Sequence, residues 1–120
     1  MLEVLFVDDE PQALEALRDA LHRHRHDWNM HFVTDGEAAL RHLATRPVDV
    51  VVSDFELRGI NGYVLLTKVS RHLSEATRII LSGTPSARHS PITKIAHAVL
   101  TKPCDIAALE RAITSAHQPD

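Results

Sequence analysis

With 120 residues, 44% of them hydrophobic and 24% charged, the chain has the composition of one globular domain, which excludes a disordered or low-complexity polymer. Its 13 basic and 16 acidic side chains leave a formal net charge of −3 and no basic stripe for a nucleic-acid backbone to follow, so direct nucleic-acid binding is not expected. The single cysteine, Cys104, excludes an internal disulfide, no apolar run approaches the length of a membrane span, and no leader pattern opens the chain, so a cytoplasmic location away from membranes is expected.

Short apolar runs alternate with helical patterns in five repeats, the signature of βα units laid into a parallel sheet with helices on both faces. The first strand is expected at Glu3 to Val7, followed by a helix that starts near Glu10-Pro11 and carries Leu14, Leu17 and Leu21 on one face. Met30 to Val33 reads as the second strand, with Trp28 covering the sheet edge beside it. Asp35-Gly36-Glu37 then leads into a helix with Ala39, Leu40 and Leu43 that stops before Pro47. Val48 to Ser53 is the most continuously apolar run and is placed at the sheet centre with both faces covered. A loop containing Gly59 and Gly62 precedes a helix with Leu65, Val69 and Leu73. The fourth strand is expected at Arg78 to Leu81. Gly83-Thr84-Pro85 follows, and Pro91 interrupts the next helix, leaving Ile92 to His97 helical. Ala98 to Thr101 is the fifth strand, and Asp105 caps a final helix whose Ile106, Leu109 and Ile113 share a face.

Parallel strands place their carboxyl ends on one edge, and open α/β sheets bind ligands just outside that edge. Asp8, Asp9, Asp54, Ser82 and Lys102 all fall there. Any one of them is adequately explained as a loop or cap residue. As a set they are harder to dismiss, because two ionised carboxylates about 4 Å apart repel by roughly 4 kcal/mol at an effective dielectric near 20, and three call for a compensating cation. Mg²⁺ meets that need, since it takes carboxylate, water and phosphate oxygens together. A carboxylate oxygen of Asp54 can then attack phosphorus in line while the metal and Lys102 neutralise the transferred oxygens.

The motifs LFVDDEP, VVSDFELRGINGYVLL, RIILSG and LTKP, in that order, resemble the receiver domain of bacterial two-component response regulators over nearly the whole chain. The resemblance implies one receiver domain over residues 1–120, with a flavodoxin-like doubly wound (βα)5 sandwich and a five-stranded parallel sheet in the order 2-1-3-4-5. It implies Asp54 as phosphoacceptor, Lys102 as phosphate contact and Ser82 as switch hydroxyl. Asp8, Asp9, Asp54 and the backbone carbonyl of Glu56 would be the ligands of Mg²⁺, with Mn²⁺ as an alternative. The implied function is acceptance of a phosphoryl group from a sensor histidine kinase, with self-phosphorylation and autodephosphorylation but no external product. The implied partners are that kinase, a C-terminal output domain or separate effector, and a second copy in a homodimer. The ending AHAVLTKPCD resembles receivers joined to HDOD or HD-GYP output domains. Two alternatives stand beside it. One is a receiver-like interaction module no longer regulated by phosphate; the other is an aspartyl-nucleophile phosphohydrolase, disfavoured because such enzymes carry Asp-x-Asp where this chain has adjacent Asp8-Asp9.

Several positions depart from the family pattern. Val99 stands where an inward-turning aromatic is usual, and Arg58 where a proline is common. Glu56 sets a carboxylate beside the acceptor, where repelling phosphate, holding metal and directing water are all open roles. The Lys102-Pro103 bond is expected cis by resemblance. Among nine histidines, His22, His24 and His26 crowd one helix end; His22 and His26 share a face at i, i+4, but with no third ligand evident beside that pair the run reads as a cationic terminus rather than a metal site. Cys104 is expected to be a buried packing thiol.

Overall fold

The computed structural model describes residues 1–24, 27–73, 75–83, 91–103 and 105–115. Five strands, β1 (Leu2–Val7), β2 (Trp28–Val33), β3 (Val50–Asp54), β4 (Thr77–Ser82) and β5 (Ala98–Thr101), form one parallel sheet in the order β2-β1-β3-β4-β5. Among the described residues four α-helices connect or follow them: α1 (Pro11–His24), α2 (Gly36–Thr45), α3 (Gly62–His72) and α4 (Ile106–Ser115). The predicted fold class and strand order are those observed.

Alternation along the strands sorts the apolar side chains into two layers. Val4, Phe6, Val50, Val52, Ile79 and Leu81 face the side covered by Leu14 and Leu21 of α1 and by Leu109 and Ile113 of α4. On the other face, Leu5, Val7, Val51 and Ile80 meet Ala39 of α2 and Leu65, Leu66 and Val69 of α3. Because β3 is covered on both faces, every one of its residues is buried, as its unbroken apolar run predicted. Complete burial of a side chain such as Leu65 stabilises the fold by about 1.5–3 kcal/mol relative to exposure.

Local chemistry sets the helix starts. Asp35 Oδ1 accepts from the Ala38 amide at 2.6 Å and Asn61 Oδ1 from the Val64 amide at 2.9 Å, each satisfying a first-turn donor that has no partner within its own helix. Asp105 Oδ1 accepts from the Ala107 amide at 3.1 Å, as expected of the cap of the last helix. Gly59 has φ +73°, a left-handed conformation in which a side chain would be strained.

Four expectations are corrected. Trp28 does not cover the sheet edge from outside; it is the first residue of β2, paired with Leu2, and is buried among the α1-side residues. Gly62 belongs to α3 rather than to the preceding loop. The third strand is displaced towards the site, running from Val50 to Asp54 and not from Val48 to Ser53. The span Ile92 to His97 is not a helix: Pro91–Lys94 forms one 3₁₀ turn. The Ala96 amide still donates to Ile92 O at 2.8 Å, but the turn cannot continue past it because the next amide, His97, is committed to Arg78 O of β4 at 2.7 Å. Arg78 Nε, donating to Ile95 O, ties the turn to β4. The expectations for His26, Thr84-Pro85 and Cys104 lie outside the described residues.

Candidate functional site

Register brings the predicted residues to one edge. Val7 pairs with Ser53, so Asp8 and Asp54 each stand one residue further along adjacent strands. Ser82 pairs with Thr101, so Lys102 stands one residue beyond. The connections leaving β1 and β3 run to opposite faces, through α1 and α3, and Asp8 and Asp54 flank the crevice between them.

Lys102 joins the two acids. Its Nζ lies 3.0 Å from Asp8 Oδ2 and 3.2 Å from Asp54 Oδ2, and both carboxylates are buried. The Lys102-Pro103 bond is cis, as expected. Burial pushes the Asp54 carboxyl above its ordinary 3.8, and the Asp8 charge adds to that push. The charge and hydrogen bond of Lys102 and the Glu56 amide oppose it without cancelling it. At Lys102, burial works against the ammonium, but the hydrogen bond to Asp8 and the charges of Asp54 and Asp8 outweigh it and hold the group above its ordinary 10.5. Two buried carboxylates thus share one ammonium.

The remaining oxygens of the acids are also placed. Asp8 Oδ1 accepts from the Glu10 amide at 2.9 Å, and Asp54 Oδ1 from the Glu56 amide at 3.3 Å. Asp8, Asp9 and Glu10 bring carboxylate oxygens within 4.8 Å of one another. That all-oxygen donor set suits a hard divalent cation such as Mg²⁺. Glu10 was read from sequence only as the start of a helix; the run Asp8-Asp9-Glu10 was the signal that could have added it.

Two further side chains were singled out by sequence without a partner being assigned. Ser82 Oγ donates to Glu56 Oε1 at 2.9 Å, so the Glu56 carboxylate turns towards the end of β4. Arg58 Nε lies 3.4 Å from Asp9 Oδ2, an ion pair whose arginine is 87% exposed and therefore weakly held. Val99 is half-buried against the α2 and α3 layer. Of the terminal histidines, His24 Nδ1 is 2.9 Å from Glu110 Oε1, which gives the end of α1 an acidic partner on α4.

The chain is similar to known proteins over this same architecture. It is 32% identical to the hydrogenase transcriptional regulatory protein HoxA of Cupriavidus necator over 80 residues, 67% of this chain and 16% of that protein. The signal receiver domain of an HD domain-containing protein from Pseudomonas fluorescens Pf-5 superposes with a TM-score of 0.85 at 32% identity, covering 96% of this chain and 93% of that one. The response regulator TrrA of Thermotoga maritima, solved in complex with Mg²⁺-BeF, shares the fold with a TM-score of 0.88 at 24% identity, covering 97% of this chain and 99% of that one. The chain spans only 16% to 42% of the length of the curated relatives that it matches. No helix among the described residues is long and apolar enough to cross a membrane. The model of the response regulator receiver domain matches residues 4–114, and the chain belongs to that family, the receivers of two-component signalling.

Proposed function

We propose that Asp54 accepts a phosphoryl group from a phosphohistidine of a sensor histidine kinase and that the modified domain controls an output domain or partner. The observation that carries this reading is the bridge from Lys102 Nζ to Asp54 Oδ2 and Asp8 Oδ2 at the carboxyl edge of the sheet. An Asp54 oxygen forms the new bond to phosphorus as the phosphorus–nitrogen bond of the donor breaks; the imidazole leaves with the electron pair and takes its proton from solvent. Lys102 is positioned to follow the negative charge from the carboxylate to the phosphoryl oxygens, acting as a point charge rather than a fork. Asp8, Asp9, Asp54 and the Glu56 carbonyl would hold Mg²⁺, with Glu10 within reach of the same cluster. When bound, the ion neutralises charge on the transferred oxygens. Positioning and electrostatics supply most of the rate in such transfers. Water attacking the phosphorus of the acyl phosphate returns the Asp54 carboxylate and inorganic phosphate.

Likeness to the receiver of an HD domain-containing protein over 96% of the chain supports an output domain of the HDOD or HD-GYP class. For the acceptor chemistry, incubation with a small-molecule phosphodonor and Mg²⁺ should place a base-labile, hydroxylamine-sensitive phosphate on the wild type and none on Asp54→Asn. Equal labelling of the two proteins would refute the assignment of Asp54.

A further inference from the structure

We infer that the Glu56 side chain is a latch that competes with the phosphoryl group for the hydroxyl of Ser82, so that phosphorylation has to release Glu56 before the end of β4 can respond. The inference rests on the phosphoacceptor reading and adds to it the regulation of that same site. Ser82 is 2% exposed, and its Oγ donates to Glu56 Oε1 at 2.9 Å. A serine hydroxyl has one proton and can donate it to one acceptor at a time. A carboxylate oxygen of Glu56 and a phosphoryl oxygen on Asp54 are therefore exclusive claimants for it.

The backbone around Glu56 holds the latch in place. The Glu56 amide donates to Asp54 Oδ1 at 3.3 Å, so one residue contacts the acceptor through its backbone and the switch hydroxyl through its side chain. The Phe55 amide donates to Leu81 O at 2.9 Å and Phe55 O accepts from the Gly62 amide at 3.1 Å, fixing the turn on both sides. Ser82 is tied from its other flank, where its carbonyl accepts from the Lys102 amide at 2.8 Å. The side chain itself can leave, because Glu56 is exposed and its carboxylate can rehydrate. A phosphoryl group on Asp54 also repels that carboxylate, so charge and hydrogen bonding drive the release in one direction.

The test uses beryllofluoride with Mg²⁺ as the phosphoryl probe and calorimetry for affinity. Glu56→Ala should bind it about fivefold to tenfold more tightly than wild type, the range for losing one partly exposed charged hydrogen bond from the unliganded side of the equilibrium. Glu56→Gln keeps an acceptor oxygen and should gain less. In a Ser82→Ala background the gain from Glu56→Ala should shrink below about twofold, because the bond being relieved is already absent. In metal-free protein, Glu56→Ala should shift the Ser82 and Gly83 amide resonances, a readout independent of phosphate chemistry. A gain of the same size in both backgrounds, or equal gains for Ala and Gln, would assign the effect to bulk repulsion and overturn the latch. Absence of any gain would overturn it too. Failure of the wild type and of every variant to bind the probe would bring down the phosphoacceptor reading first, and the latch with it.

Discussion

Gly62→Ala tests how closely α3 is set against β3, the strand that ends at Asp54. A Cβ at position 62 would lie 2.5 Å from the Asp54 carbonyl oxygen, 2.9 Å from Phe55 Cα and 3.1 Å from Ile80 Cδ1. Since non-bonded carbon atoms settle near 3.5–4.0 Å, the first turn of α3 must retreat by about 1 Å. Two of the three obstacles are backbone and cannot rotate aside. Overpacking of this kind costs about 1–3 kcal/mol, and the backbone clash points to the upper part of that range. Alanine returns about 0.5–1 kcal/mol in helix propensity. The net loss is about 1–2 kcal/mol, equivalent to a fall of about 4–10 °C in Tm for a domain of this size. Urea and thermal melts followed by circular dichroism measure it. The Gly62 amide donates to Phe55 O at 3.1 Å, so a retreating helix also pulls on the turn that carries Glu56, and beryllofluoride affinity should fall several-fold alongside stability. A variant with an unchanged or raised midpoint would refute the reasoning, because α3 would then be free to shift and would not position the site.

Lys102→Met leaves the buried Asp8 and Asp54 carboxylates facing each other without their shared cation, and in chelator it should lower stability by about 2–3 kcal/mol, below the range for a fully buried pair because Lys102 is itself partly exposed. Adding Asp8→Asn or Mg²⁺ should recover most of the loss in urea melts; a loss unaffected by either would mean that packing of the lysine stem, not charge, is responsible. His42 offers a pH test away from the site. Burial lowers its pKa from the ordinary 6.5, with the charges of His31 and Arg46 acting in the same direction and Glu3 opposing. Its Nε2 is buried without a hydrogen-bond partner among the described residues. As pH falls through about 6.5 the unfolded chain takes up a proton that the folded chain refuses, so stability declines, and the decline ends once pH is below the folded value. His42→Leu removes that component and the unsatisfied nitrogen, and should stabilise the protein by about 1 kcal/mol at neutral pH. An acid limb of the His42→Leu profile that keeps the wild-type slope just below pH 6.5 would contradict this assignment.

What could be read from the residues beforehand divides along a physical line. Strand and helix positions follow from periodicity, and because each apolar run ends where the chain leaves the sheet, Asp8, Asp54, Ser82 and Lys102 could be placed on one edge without knowing any distance. Strand order came only through resemblance, since pairing partners are not encoded in the period of a single strand. The 3₁₀ turn at Pro91–Lys94 was missed because its ending depends on Arg78, a residue on another strand that takes up the His97 amide and the Ile95 carbonyl. Trp28 was misplaced for a related reason: its pairing with Leu2 starts β2 two residues earlier than expected, although the flanking Asp27 and Asn29 look like turn. At the site, the atoms set by backbone register were legible and the partners of long side chains were not. Glu56 had three open roles in sequence, and its hydrogen bond to Ser82 became visible only once β4 was docked beside β3. Lys102 was foreseen as a contact for phosphate and is found bridging two carboxylates, yet the charge logic is the same. A cation stands where negative charge is concentrated, and under the proposed function transfer of a phosphoryl group to Asp54 would move that concentration two bonds outward, onto the phosphoryl oxygens, while the lysine that answers it stays in reach.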